Sequence, residues 1–167
     1  DTKSLIHMAG QAGYDFRFLD TAVAVNEEQF DRVVKKISDA VGGDLEGKTV
    51  AVWGLTFKAG TDDLRDSPSL AVIKRLQAKG AIIKAHDPTV KEHKEGIPKQ
   101  VVISNEPLEA CENADAVVLL TDWEEYENIK PNEAIERLSG PNLIDTRNVF
   151  NPQEWEDTGF TYQGIGR

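Results

Sequence analysis

The chain has 167 residues, 40% of them hydrophobic and 29% charged, with a formal net charge of −10. This length holds one ordinary domain with a smaller appendage, and the composition is that of a soluble globular protein. The acidic balance excludes nucleic acid as a main partner, because phosphate backbones need a basic footprint. The longest apolar run, Ala116 to Leu120, falls far short of the ~18 residues of a membrane helix. A single cysteine, Cys111, excludes an internal disulfide and fits a reducing cytoplasm. The opening residues do not read as a signal peptide. The sequence opens at Asp1 and runs straight into an amphipathic pattern, as expected of a piece of something longer.

In chain order, residues 1–46 form a helical segment. Leu5, Ile6, Ala9, Phe16, Leu19, Ala22, Val23, Val25, Phe30, Val33, Val34 and Ile37 recur mostly at steps of three and four, which is helical periodicity. Ala12-Gly13-Tyr14 breaks it into a short and a long helix. Such helices cannot bury both faces alone and should pack on the next domain, another domain or a second subunit. Gly42-Gly43 and Gly47 then mark a linker.

Residues 47–167 change rhythm to strand–helix alternation. The pattern predicts strands at Val50–Trp53, Ala81–Ala85, Val101–Ile103, Ala116–Leu120 and Asn142–Ile144. Helices are predicted at about Pro68–Lys79, Pro107–Cys111, Trp123–Tyr126, Asn132–Leu138 and Pro152–Glu156, with Gly80 closing the first. Short apolar strands alternating with helices imply an α/β fold with a Rossmann-like, doubly wound, largely parallel sheet. Such sheets bind ligands outside the carboxyl ends of their strands. Charge gathers at three of those ends: Lys58 and Arg65 after the first strand, His86-Asp87 after the second, Asp145-Thr146-Arg147 after the last.

The stretch Ala51 to Pro68, AVWGLTFKAGTDDLRDSP, carries the most chemistry. An apolar strand reaches Gly54, enters a loop with one Lys and one Arg, and closes at Ser67-Pro68, a helix-start signal. No GxGxxG is present, so the loop suits holding phosphates from the side with cations better than cradling them in glycines. Lys58 and Arg65 could clamp a diphosphate; the competing reading pairs them with Asp62, Asp63 or Asp66. Arg147 could converge on the same anion or pair with Asp145, and Phe57 could lie against a base or sugar or simply pack. Asp87 invites a ribose-binding reading, but an Asp-Pro turn capping the strand is favoured. Cys111 reads as a buried inert thiol, and the scattered histidines offer no metal-ligand spacing.

These residues also carry a resemblance. Val52-Trp53-Gly54-Leu55-Thr56-Phe57-Lys58 followed by Thr61-Asp62-Asp63-Leu64-Arg65-Asp66-Ser67-Pro68 resembles the C-terminal domain of the UDP-glucose/GDP-mannose dehydrogenase family. Ile144-Asp145-Thr146-Arg147-Asn148-Val149-Phe150, Gly159-Phe160-Thr161-Tyr162 and the closing Gly164-Ile165-Gly166-Arg167 agree with it. So do the opening Asp1-Thr2-Lys3-Ser4-Leu5 and Val25-Asn26 with Gln29. Trp53 before Gly54-Leu55 and the Gly-Ile-Gly-Arg ending lean towards the branch that oxidises UDP-glucose. Ala59-Gly60 leans towards the GDP-mannose or UDP-amino-sugar branches.

The resemblance implies part of an NAD-dependent enzyme that oxidises a sugar C6 alcohol to a carboxylate in two hydride transfers. It further implies a homodimer through the long helix and a UDP-sugar substrate held by residues 47–167. On matching positions it assigns Phe57, Lys58 and Arg147 to substrate binding, Arg65 to NAD, and Asp1 to the water that hydrolyses a thioester. The family's catalytic cysteine and NAD domain have no counterpart here, and Cys111 lies on a different element. These 167 residues are therefore expected to be inactive alone. A non-catalytic UDP-binding or dimerisation module is the reading from another functional class.

Overall fold

The computed structural model describes residues 2–166, apart from the side chain of Lys3. Asp1 and the final Arg167, both part of the sequence argument, lie outside the described residues. Two helices come first, α1 (Thr2–Gln11) and α2 (Arg17–Ala40), separated at the predicted turn around Gly13. Then β1 (Thr49–Trp53), α3 (Pro68–Ala78), β2 (Ile82–His86), β3 (Val102–Ile103), α4 (Pro107–Ala110) and β4 (Ala116–Leu119) follow. The chain continues through α5 (Glu124–Glu127), α6 (Pro131–Ile135), β5 (Asn142–Asp145), α7 (Pro152–Asp157) and β6 (Thr161–Gly164). Among the described residues no helix is long and apolar enough to cross a membrane.

The strands form a six-stranded sheet in the order β3-β2-β1-β4-β5-β6. Every pairing is parallel. The chain starts at the centre with β1, winds outward through β2 and β3, then returns to β4 on the other side. The topological switch point therefore lies between β1 and β4, where such folds open a crevice. All five predicted strands are present. The sixth, β6, was not among them, because Thr161-Tyr162-Gln163-Gly164 has neither the apolar run nor the strong β-branched content of the others. It pairs only with β5, at the sheet edge, where a partly polar strand is tolerated.

Period-two alternation divides the core between the two faces. Val50 and Val52 of β1 point with Ile83, Val118 and Ile144 towards Val33, Val34 and Ile37 of α2 and Leu70, Ile73 and Leu76 of α3. Ala51 and Trp53 point the opposite way, with Val117, Leu119 and Leu143, into a layer built by the short C-terminal helices. That layer is aromatic. Trp53 stacks on Tyr126 at 5.6 Å and 11°, and meets Phe150 and Trp155 edge-on at 6.3 and 6.4 Å. Its indole N–H donates to Pro107 O at 2.9 Å. Cys111 is buried beside it, and burial pushes its thiol up to about 12, so it stays protonated and unreactive.

Only the second half of α2 reaches the sheet. Its first half and α1 carry Leu5, Met8, Phe18 and Val25 exposed to solvent. Arg75 of α3 fastens the buried half. Its guanidinium donates to Glu27 at 2.7 Å and Asp31 at 3.0 Å, and lies 5.2 Å from the Phe30 ring centroid.

Gly54, the first residue after β1, is required sterically. It sits at φ +94°, and a Cβ there would lie 2.4 Å from Thr121 Cβ and 2.6 Å from its backbone N. The two central strand ends are thus in backbone contact. Gly96, also at positive φ (+94°), meets nothing within 4 Å. Gly54→Ala should therefore lower unfolding stability by about 3 kcal/mol or more, combining overpacking with backbone strain. Gly96→Ala should cost only the ~1 kcal/mol of strain. Urea unfolding of both variants checks this, and equal losses would remove the Thr121 contact as the cause.

Candidate functional site

The carboxyl ends of β1, β2 and β4 are joined through one side chain. Asp87 follows β2 and is fully buried. Its Oδ2 accepts from Leu55 N at 2.8 Å, Thr56 N at 3.0 Å, Thr56 Oγ1 at 3.0 Å and Trp123 Nε1 at 3.2 Å. Its Oδ1 accepts from Thr89 N at 3.0 Å and Thr89 Oγ1 at 2.8 Å, closing the Asp-Pro turn that the sequence favours. Burial raises the pKa of this carboxyl, but the hydrogen bonds from Leu55, Thr89 and Thr56 outweigh it, leaving the group below its usual range and ionised. No acceptor capacity remains in a form that fits the ribose reading.

The rest of the loop after β1 is equally committed. Gly54 N donates to His86 O at 2.8 Å and Phe57 N to Asp63 O at 2.8 Å. Ser67 Oγ donates to Leu55 O at 2.6 Å, and Thr121 Oγ1 to Thr56 O at 2.8 Å. Thus the amides of Gly54, Leu55, Thr56 and Phe57 all have internal partners. An anion arriving here meets side chains, as the absence of a glycine fingerprint suggests.

The rigid loop ends by pushing Phe57 and Lys58 outward. Both are exposed, Phe57 at 46%. Among the described residues no hydrogen bond or ion pair engages the Lys58 ammonium. Arg65 is held instead by Asp63, whose carboxylate takes its Nε at 2.9 Å and Nη2 at 2.7 Å. That pairing is one of those the sequence left open, and it holds the Asp63 carboxyl down at about 2. Arg147 pairs with Asp145 only through its backbone N–H, at 3.0 Å. Its guanidinium Nε donates to Leu120 O at 2.8 Å and lies 3.9 Å from Asp122, which brings the loop after β5 against the end of β4.

A cleft of about 800 Å³ opens between α2, the loop after β1 and the start of α3. Phe57 and Arg65 line it, together with Asn26 of α2 and Lys74 of α3, whereas Lys58 and Arg147 lie outside its lining. The volume is of the order that takes a nucleotide-sized ligand. Sequence reasoning gave no role to Thr121, Trp123 or Ser69, which brace the site from β4 and α3. Ser69 Oγ lies 3.1 Å from Thr121 Oγ1. The legible signal for them was position: Thr121-Asp122-Trp123 directly follows the strand that adjoins β1 at the switch point.

A Rossmann-like strand order with cations on the loops beyond β1 and β5 defines the class, an α/β domain for a nucleotide-type ligand. Comparison with known proteins gives the family: residues 51–152 match the UDP binding domain of the UDP-glucose/GDP-mannose dehydrogenase family, and the chain belongs to that family. It is 36% identical over 167 residues to the UDP-glucose 6-dehydrogenase of Rhizobium meliloti (strain 1021), covering 100% of this chain and 38% of that protein. It is also 36% identical over 168 residues to UDP-glucose 6-dehydrogenase TuaD of Bacillus subtilis (strain 168), covering 100% of this chain and 36% of that protein. Among solved structures, a UDP-D-ManNAc dehydrogenase from Pyrococcus horikoshii superposes with a TM-score of 0.79 at 25% identity, covering 95% of this chain and 36% of that one. A UDP-glucose dehydrogenase from Pyrobaculum islandicum gives 0.77 at 25% identity, covering 98% and 35%. The chain thus spans little more than a third of the length of these relatives.

His86, beside Asp87, supplies a pH dependence. It is buried, with Nδ1 3.1 Å from Tyr126 Oη, and burial followed by the nearby Lys91 charge lowers its pKa to about 4. Unfolded His titrates near 6.5, so between about 6.5 and 4 the unfolded chain binds a proton that the folded one refuses. Stability should fall as pH drops through that window, by on the order of 3 kcal/mol. Below it, protonation of Asp87 removes a second contribution, because its folded pKa is also depressed. Urea unfolding between pH 7 and 4 reads the slope, and His86→Gln should flatten it above pH 4. An unchanged slope would acquit His86.

Proposed function

We propose that residues 47–167 hold the nucleotide-sugar substrate of an NAD-dependent UDP-glucose 6-dehydrogenase, which converts UDP-glucose to UDP-glucuronate in two hydride transfers. The observation that carries this reading is the exposed Lys58 ammonium at the carboxyl end of β1, unengaged among the described residues, on a loop whose amides are internally satisfied. A diphosphate there is bound by side-chain charge, with Lys58 contributing the first charge-assisted contact and Phe57 an apolar surface for base or sugar. Arg147 reaches the same strand-end region through its bond to Leu120.

NAD itself does not fit the crevice of this sheet, because Asp87 already occupies the amides of Leu55 and Thr56. The cofactor belongs on another part of the enzyme, with Arg65, at the edge of the cleft, as this chain's contact to it. Asp1 is assigned to the hydrolytic water. The exposed Leu5, Met8, Phe18 and Val25 support burial of the α1–α2 surface against a second subunit or the rest of a longer enzyme. These residues alone bind substrate without turnover, in a cytoplasmic homodimer.

A second reading stays in the family: the oxidised sugar is GDP-mannose or a UDP-N-acetylhexosamine. The similarity to the Pyrococcus horikoshii UDP-D-ManNAc dehydrogenase favours keeping it.

Calorimetric titration of the chain with UDP, GDP and NAD separates these readings. UDP binding in the micromolar-to-millimolar range, without GDP or NAD binding, supports the uridine assignment; a preference for GDP moves it to the mannose branch. Lys58→Ala should weaken UDP binding by roughly 1.5–3 kcal/mol, about 10- to 150-fold. Unchanged affinity in that variant would remove Lys58 from the site.

A further inference from the structure

A sheet with this strand order places a dinucleotide's pyrophosphate on the loop after its first strand, where successive amides and a helix N-terminus face the anion. Here the same loop, opening at Gly54 with φ +94°, also turns successive amides inward, those of Leu55 and Thr56. They converge on one oxygen of Asp87, and the Thr56 hydroxyl and the Trp123 indole N–H converge on it too. Four donors on a single buried oxygen form an oxyanion-binding arrangement. The following helix does not compete for the anion: α3 begins only at Pro68, after a long loop, and its cap is Ser67.

We propose that Asp87 is the resident anion of this nest. Its carboxylate stands where a ligand phosphate would otherwise be bound, so Asp87 is a specificity-determining residue that closes the switch-point crevice to dinucleotides. The four donors on this oxygen come from the loop after β1 and from the segment after β4, while the carboxylate follows β2. The acid that in a dinucleotide fold reaches outward to a ribose is here turned inward and consumed. Phosphate recognition is thereby shifted to exposed cations such as Lys58. The inference stands apart from the uridine reading, since its test needs no nucleotide.

The test is anion rescue of the full chain. Asp87→Ala leaves the donors in place and frees the volume of a small oxyanion. Asp87→Ser is a milder vacancy with the same donors. Thermal unfolding of each is followed in sodium formate, sodium phosphate and sodium chloride at matched ionic strength. Each shift is corrected by that of the unmodified protein, because phosphate strengthens burial in proteins generally. Formate or phosphate should raise the midpoint of the variants over chloride by about 4 °C beyond the effect on the unmodified chain. Should a variant be unfolded in chloride, refolding on addition of formate, seen by circular dichroism, counts as the same result. Variants that gain no more from formate or phosphate than the unmodified chain does, whether they start folded or unfolded, overturn the proposal.

Discussion

A buried carboxylate is tolerated only when its lone pairs are used, and the Asp87 side chain uses them on three neighbouring segments at once. The loop after β1, the Thr89 turn after β2 and Trp123 after β4 all donate to it. Because these segments extend the strands on either side of the switch point, this one charge fixes the shape of the crevice floor. The backbone contact between Gly54 and Thr121 does the same job sterically. Together they leave the loop no freedom until Phe57, which is where the exposed residues begin.

The two faces of the sheet are built differently, and this decides where a ligand can enter. The C-terminal face is filled by Trp53, Tyr126, Phe150, Trp155 and Phe160, a closed aromatic layer with little exposed surface. On the opposite face α2 buries only Val33, Val34 and Ile37 of its second half, while α3 is buried from Ser69 through Leu76 on its inner side. Arg75 bridges the helices from the α3 side, through Glu27 and Asp31. The cleft begins at the same level of α2, with Asn26, Glu27 and Phe30 among its lining residues. An ion pair that is only half-buried contributes modestly to stability, and this one ties α3 to α2 beside residues that line the cleft.

Fold class was legible because its signal is periodic: apolar strand runs, helix-start signals such as Ser67-Pro68, and glycines at turns all point the same way. β6 was not, since an edge strand that buries one face can be written in polar residues. As candidates for the site, Phe57, Lys58, Arg65 and Arg147 could be nominated from type and position. Their partners could not. Arg65 turning to Asp63 rather than Asp62 or Asp66 is a choice among local acceptors with equal claims in sequence, whereas Arg147 turns to the Leu120 carbonyl, 27 residues back along the chain. Asp87 is the clearest case. Its two-residue turn to Thr89 is written locally, while its bonds to Leu55 and Thr56, made 32 and 31 residues back along the chain, exist only once β2 lies beside β1.

The charge distribution follows from the same arrangement. A chain with a net charge of −10 repels a diphosphate at long range, and only cations whose charge is not already spent offset that repulsion. Arg147 is anchored to a carbonyl on a half-buried side chain, a fixed positive wall. Arg65 is spent on Asp63, but its side chain is 89% exposed, and an exposed pair of this kind exchanges partners at little cost. Lys58 needs no exchange at all. Burial and pairing thus grade the three cations: Lys58 is exposed and unengaged among the described residues, Arg65 is exposed but paired with Asp63, and the Arg147 side chain is half-buried and held by the Leu120 carbonyl.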